Sequence, residues 1–239
     1  MQPVFLTAEW RNLIMANYEI DPKELAAFVP SNTELDLWQG RCYISLVGFL
    51  FVNTRVMGLS IPFHRNFEEV NLRFYVRCRE GETWKRGVVF IKEIVPKRAI
   101  TAVANLLYGE KYVTMPMRHR WEAPGGQLLV RYDWKPGNRW NHLSVVVGAQ
   151  PSPMAEGSEE QFIAEHYWGY TGLPGGATSE YQVEHPSWQA FPVQSYEIDC
   201  DAQQLYGPAF AEAMAGKPRS VFLAEGSGIA VRRGRKLPG

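Results

Sequence analysis

The sequence lacks any excess of charge. Its 25 Lys and Arg are balanced by 25 Asp and Glu over 239 residues. Nucleic-acid binding needs a surplus of basic side chains to neutralise phosphates, so no nucleic-acid partner is expected. Long apolar runs are missing as well. The longest, 44–52, is well short of the roughly 20 residues that a membrane helix needs, and no membrane partner is expected. The N-terminal stretch has no basic leader, and Glu9, Arg11 and Asn17 interrupt its apolar character, so it does not read as a signal peptide. Cysteine is scarce. Cys42, Cys78 and Cys200 are far apart, with no CxxC between them. They read as reduced thiols used for packing, which suits a cytoplasmic location. GxGxxG, GxxxxGK[ST], GxSxG and HExxH are all absent. The five histidines, His64, His119, His142, His166 and His185, have no metal-ligand spacing, so neither a metal nor a cofactor is expected. No repeat or low-complexity segment occurs.

What is present is apolar and aromatic. Hydrophobic residues make up 46%, including 8 Trp, 11 Tyr and 12 Phe. A chain of this length buries roughly 70–75% of its unfolded surface and needs no staples. The pattern predicts strands over 13–20, 70–78, 88–95, 112–121, 128–134, 142–148, 181–184 and 189–198. It also predicts a hairpin over 35–52 turning at Gln39-Gly40, and a final hairpin over 221–232 turning at Gly226-Ser227-Gly228. Helices are expected after the caps Asp21 and Ser158, over 96–108 and over 205–215. The central helix carries Ile100, Val103, Ala104 and Leu107 on one side, with Gly109 placed to end it. Residues 169–178 read as a glycine-rich loop. Strands dominate without the regular alternation of a parallel α/β fold. The expected fold is therefore α+β and β-dominated. It is a large curved antiparallel sheet, closed or nearly closed around a cavity, with a few short peripheral helices. One domain over 1–239 is favoured, with 151–157 as the only linker-like break.

Three constellations could carry chemistry. In 70–78 the residues alternate, so Glu69, Asn71 and Arg73 share a face. A carboxylate, an amide and a guanidinium in one row can orient a small anionic ligand. The alternative is a solvent-facing strand surface or a structural ion pair. The second constellation joins His166 and Tyr167 to His185 and Trp188. Rings mixed with histidines suit the wall of a small-molecule pocket, and the alternative is core-edge packing. The third is Lys111, where a lysine after a buried helix could be desolvated into a nucleophile.

At these residues the chain resembles a known bacterial family, domain of unknown function 2071. The shared motifs are Arg11-Asn12-Leu13, Phe67-x-Glu69-x-Asn71-x-Arg73 and His166-Tyr167-Trp168-Gly169-Tyr170. Val183-Glu184-His185-Pro186-x-Trp188 and Ala224-Glu225-Gly226-Ser227 complete them. The family is grouped with the acetoacetate decarboxylase-like fold. That grouping implies a cone-like antiparallel β-barrel around a central cavity. It also implies that Arg11 is similar to a cavity arginine and Glu69 to a catalytic glutamate. Tyr108-Gly109-Glu110-Lys111 is similar to the stretch leading to a Schiff-base lysine. The chain departs from that enzyme at one point. The enzyme has two adjacent lysines, whereas here Lys111 lies between Glu110 and Tyr112. A neighbouring carboxylate raises a lysine pKa and weakens the nucleophile.

Two readings of function follow. The first is a binder of a small anionic or carbonyl-containing molecule in a barrel cavity, with its reaction unassigned. In it Arg11 holds an anion, Asn71 and Arg73 orient it beside Glu69, and His166, Tyr167, His185 and Trp188 close the pocket. The alternative is a Schiff-base lyase acting on a β-keto acid, with Lys111 as nucleophile and Glu69 handling protons. It requires the Lys111 amine to enter the cavity. A module without a ligand, its interior filled by aromatic side chains, is a third possibility. Self-association is left open.

Overall fold

The computed structural model describes residues 2–148 and 150–238. The strand Phe67–Glu80 lies at the centre of the large sheet. It pairs antiparallel with Tyr43–Val56 on one side and Thr83–Val95 on the other. Tyr43–Val56 pairs with Val4–Glu19, which pairs with Ser220–Arg232. Ser220–Arg232 in turn meets Thr178–Glu184 through Val183 and Val231. Thr178–Glu184 pairs with Trp168–Gly172, and Trp168 and Gly169 return to Gly87 and Val88 of the Thr83 strand. The pairings thus run round a closed circuit, which removes exposed edges and encloses an interior.

The sheet is mixed, whereas a purely antiparallel one was expected. Trp168–Gly172 and Tyr112–Thr114 both run parallel to Thr83–Val95. Gly87 permits the first of these approaches, because a Cβ there would lie 2.6 Å from the Trp168 carbonyl oxygen. A second, four-stranded sheet is formed by Met117–Glu122, Gln127–Trp134, Asn141–Gly148 and Val193–Asp199. It covers one outer face of the first. Tyr132, Trp134, Leu143 and Val145 pack there against Ile14, Leu46, Val70, Leu72 and Phe74. Each large side chain fully buried in this layer contributes roughly 1.5–3 kcal/mol.

Local chemistry explains both the agreements and the differences. Asp21 caps Pro22–Leu25 by accepting from the Lys23 N–H at 2.9 Å. Ser158 caps Glu159–Ala164 by accepting from the Gln161 N–H at 3.2 Å. Gly109 ends the helix Arg98–Tyr108 at φ 71°. The side chain of Leu107, expected on that helix's apolar side, lies outside the described residues.

Several expected elements are divided where a proline removes a backbone donor. The 112–121 segment breaks at Pro116 and 189–198 breaks at Pro192, and the pieces join different sheets. The helix over 205–215 becomes Ala202–Tyr206 and Pro208–Met214, separated by Gly207. The 35–52 hairpin does not form. Thr33–Leu35 pairs with Phe67–Glu80, and Gln39-Gly40 is spanned only by a Trp38–Arg41 bridge. The final hairpin is one continuous strand, Ser220–Arg232, kinked at Gly226 with φ 84°. Within 169–178 the loop shrinks to a turn around Pro174–Gly176 between two strands. In the linker-like stretch, Ser152–Pro153 pairs with Gln189–Phe191. Cys42, Cys78 and Cys200 are free thiols. Among the described residues no helix is long and apolar enough to cross a membrane.

Candidate functional site

The ring of strands encloses a cavity of about 260 Å³. Its wall is mostly apolar, including Leu13, Phe49, Phe51, Phe67, Val88 and Phe90. The helix Arg98–Tyr108 lays Ala99, Ile100, Val103 and Ala104 along it. Polar groups are the minority of the lining, and Glu69, Asn71, Arg73, Glu93, Glu110 and His166 among them are buried, the usual composition of a small-molecule site.

Strand alternation sorts the Phe67 strand. Val70, Leu72 and Phe74 face the second sheet, while Glu69, Asn71 and Arg73 face the cavity. All three polar residues are buried, so the row is neither a solvent-facing surface nor a paired ion set. Asn71 donates from Nδ2 to Glu69 Oε1 at 2.9 Å, and Asn71 Oδ1 has no hydrogen-bond partner among the described residues. Arg73 is 8% exposed. Among the described residues its Nη2 reaches only the Ile163 carbonyl at 3.4 Å and the Met15 sulfur at 3.9 Å, its Nε has no hydrogen-bond partner, and its Cζ lies 5.7 Å from the Tyr75 ring centroid. A buried guanidinium without a carboxylate is costly unless a ligand completes it.

Four further groups join Glu69; the sequence pattern placed Tyr181 in the same pocket-wall segment as His185, and did not single out the other three as a site. Glu93, Glu110, Tyr112 and Tyr181 also line the cavity. Tyr112 donates from Oη to Glu69 Oε2 at 2.9 Å. In the register, Glu93 lies beside Asn71 on one side and Tyr112 on the other. Glu93 Oε2 and Glu110 Oε1 are buried without a hydrogen-bond partner. Burial raises the Glu69 carboxyl to about 7, with the Glu110 charge adding to the effect while Asn71 and Tyr112 oppose it. Burial likewise raises Glu110 to about 7. Glu93 is raised well above the ordinary carboxylate range by burial, then by Glu110 and Glu69. Like charges crowded in a low-dielectric space cannot all ionise, so this cluster retains protons at neutral pH.

Glu93 enters the cavity because of a β-bulge. Leu72 pairs with Lys92 and Arg73 with Phe90, leaving Ile91 as the extra residue. Simple alternation from Val88 and Phe90 would send Lys92 inward. The bulge instead turns Lys92 outward, where its Nζ donates to the Leu205 carbonyl. The only signal in the sequence was a lone glutamate within an apolar strand.

On the opposite wall His185 stacks on Trp188, with ring centroids 4.1 Å apart. Trp10 lies 6.2 Å from Trp188. His166 also lines the cavity. Its Nε2 is 3.1 Å from Asp36 Oδ2, which also accepts from Arg86 Nε at 2.7 Å. Burial pushes the His166 pKa down to about 4, leaving a neutral ring, and burial lowers His185 as well. Tyr167 lies outside the wall, its ring 4.7 Å from that of His185.

Arg11 and Lys111 do not line the cavity. Asn12 stands at φ 53° where the Val4 strand shifts register, so Trp10 and Leu13 point inward and Arg11 outward. Arg11 is held by Glu9 at 2.6 Å. Lys111 is exposed as a residue, but its ammonium packs 5.4 Å from the Phe28 ring centroid, and burial there lowers its pKa while the Glu110 and Glu93 charges oppose the shift. Its neighbours Glu110 and Tyr112 take the inward places, since successive residues of an extended chain face opposite ways. No lysine is found among the described lining residues. No group of three or more His, Cys, Asp or Glu among the described residues could hold a metal ion.

Comparison with known proteins identifies the family and the fold. The family model DUF2071, described as an uncharacterized conserved protein, matches residues 7–228. The chain belongs to this family. A relative, the uncharacterized protein YqjF of Bacillus subtilis strain 168, is 41% identical over 110 residues. That stretch covers 46% of this chain and 44% of YqjF, so it spans less than half of either protein. Among solved structures, acetoacetate decarboxylase of Legionella pneumophila superposes with TM-score 0.67 at 13% identity, over 99% of this chain and 89% of that one. An acetoacetate decarboxylase-like enzyme of Sphingomonas wittichii RW1 gives 0.65 at 12%, over 99% and 94%. The enduracididine biosynthesis enzyme MppR, solved in complex with pyruvate, gives 0.64 at 15%, over 100% and 91%. At these identities the likeness establishes that this DUF2071 chain has the acetoacetate decarboxylase-like fold, and chemistry does not follow from fold.

Proposed function

We propose that the chain binds a small organic acid carrying a carbonyl group and an apolar body inside the cavity. Arg73 takes the carboxylate, Asn71 holds Glu69 beside it, and the apolar wall with Trp188 and His185 takes the body. The observation that carries this reading is the Arg73 guanidinium, which is buried, faces the cavity and has no carboxylate partner. A planar fork of donors in a low-dielectric pocket selects a carboxylate bidentately. The MppR complex with pyruvate supports the same ligand class for this fold. The Schiff-base alternative through Lys111 requires an amine in the cavity, and Lys111 stands outside it.

Trp10 and Trp188 line the cavity and provide a fluorescence signal. Titration with pyruvate, α-ketoisocaproate and phenylpyruvate gives saturable changes, whereas their uncharged methyl esters do not. Arg73→Met weakens acid binding by roughly 10–100-fold, the value of a charge-assisted hydrogen bond. Equal affinity for acid and ester, or an unaffected Arg73→Met protein, would refute the assignment.

A further inference from the structure

We propose that the buried carboxyl cluster beside Arg73 interconverts the keto and enol forms of the bound acid, with Glu69 as base and Glu93 as acid. The inference rests on the carboxylate-binding reading above and adds an activity to the same cavity.

The roles follow from what each carboxyl touches. Glu69 accepts hydrogen bonds on both oxygens, from Asn71 Nδ2 and from Tyr112 Oη, each at 2.9 Å. Two donors favour its ionised form, which can take a proton from carbon. Glu93 is 1% exposed, its Oε2 has no partner, and it lines the same cavity beside Asn71. A carboxyl in that setting stays neutral and can donate to a developing oxyanion. Asn71 is tied to the cluster through Glu69, whereas Arg73 makes no hydrogen bond to it among the described residues; Arg73 Nε and Asn71 Oδ1 are each buried and unpartnered there. Arg73 fixes the carboxylate end, which leaves the carbonyl and the carbon beyond it among Glu69, Glu93 and Tyr112.

The step is balanced within the cluster. Glu69 removes a proton from the carbon next to the carbonyl. The electrons of that C–H bond form the C=C bond, and the C=O π pair moves to oxygen. That oxygen takes the proton of Glu93. The products are the enol, protonated Glu69 and ionised Glu93, so the cluster's total of protons is unchanged. No oxidant, metal or amine is required. Tyr112 is a positioning residue that holds Glu69 and favours its ionised form.

The test is exchange of the carbon-bound protons of α-ketoisocaproate in D2O, followed by proton NMR. Wild type accelerates loss of the methylene signal beside the carbonyl above the buffer rate. Glu69→Gln slows the catalysed exchange by roughly 10²–10⁴-fold, the usual worth of a general base. Glu93→Gln slows it by roughly 10²–10³-fold through weaker oxyanion stabilisation. Tyr112→Phe moves the acidic limb of the pH–rate profile to higher pH, because Glu69 loses a donor to its ionised form; a merely structural role would leave that limb in place. Lys111→Ala exchanges at the wild-type rate. Circular dichroism checks each variant for folding, and Tyr112→Phe serves if the Gln variants unfold. Saturable binding of the acid with exchange at the buffer rate overturns catalysis and leaves carboxylate binding standing. Failure to bind any of the three acids overturns both.

Discussion

The two faces of Phe67–Glu80 are both buried, yet they are built for opposite ends. Toward the second sheet, Val70, Leu72 and Phe74 are fully covered and packed among other apolar side chains. Toward the cavity, Glu69, Asn71 and Arg73 are almost as well covered, but Arg73 Nε and Asn71 Oδ1 lack partners. The first face gains from every contact it makes. The second bears the cost of desolvated charge, which only a ligand can offset. Burial alone therefore does not separate core from site; unsatisfied polar atoms do.

The largest expected contrast lies between adjacent residues of this strand. Phe74→Ala lowers unfolding free energy by roughly 3–5 kcal/mol through lost burial and a cavity. Arg73→Met, one position away, leaves stability unchanged or raises it, since it removes an unpaired buried charge. Urea denaturation of both proteins checks this. A large loss for Arg73→Met would make the guanidinium part of the core and erase the contrast.

A second test reaches the cavity through the backbone. A Cβ on Gly169 would lie 2.5 Å from Tyr181 Oη and 2.2 Å from its Cζ. Gly169→Ala therefore displaces Tyr181 from the wall, at roughly 1–3 kcal/mol of overpacking. Acid binding, read by tryptophan fluorescence, falls with it. Wild-type binding in this variant would show that Tyr181 has no part in the site.

The cavity face should also show itself in pH dependence. Folded Glu69 keeps its proton to about pH 7, whereas the ordinary value is 4.5. The native state binds more protons over that window, so stability falls as pH rises through it. His166 acts the other way. It stays neutral down to about pH 4 against an ordinary 6.5, so stability is lost as pH falls from 6.5 toward 4. Urea midpoints of Glu69→Gln and His166→Phe, each subtracted from wild type, should therefore slope in opposite directions. Parallel slopes would refute the two assignments.

The smallest effect is expected at Lys111. Its side chain lies outside the cavity wall, so Lys111→Ala leaves acid affinity and stability within about 0.5 kcal/mol of wild type. Borohydride treatment with pyruvate, read by intact-protein mass spectrometry, yields no adduct at this residue. A reduced adduct lost in Lys111→Ala would bring the lysine back into the site.

Much of this was legible beforehand. The alternation of 70–78 placed Glu69, Asn71 and Arg73 on one face, and the caps Asp21, Ser158 and Gly109 act as their residue types demand. The pairing of distant segments was not legible. Nothing local indicates that Thr33–Leu35 joins Phe67–Glu80, or that Trp168–Gly172 runs parallel to Thr83–Val95. Arg11 and Lys111 were misplaced for a related reason: a resemblance in motif carries residue type, whereas facing depends on register.

The sequence by itself determined a β-dominated chain, the family, and a polar row on one strand face, because side-chain period and turn chemistry are local properties. Only the tertiary structure decided which face encloses the cavity, and which carboxyls meet there. Two irregularities made that choice. The kink at Asn12 turned Trp10 inward and Arg11 outward, and the bulge at Ile91 brought in Glu93 and sent Lys92 out. With a side-chain period of two, one extra residue reverses every facing beyond it, and its position is set by the partner strand rather than by the segment that carries it.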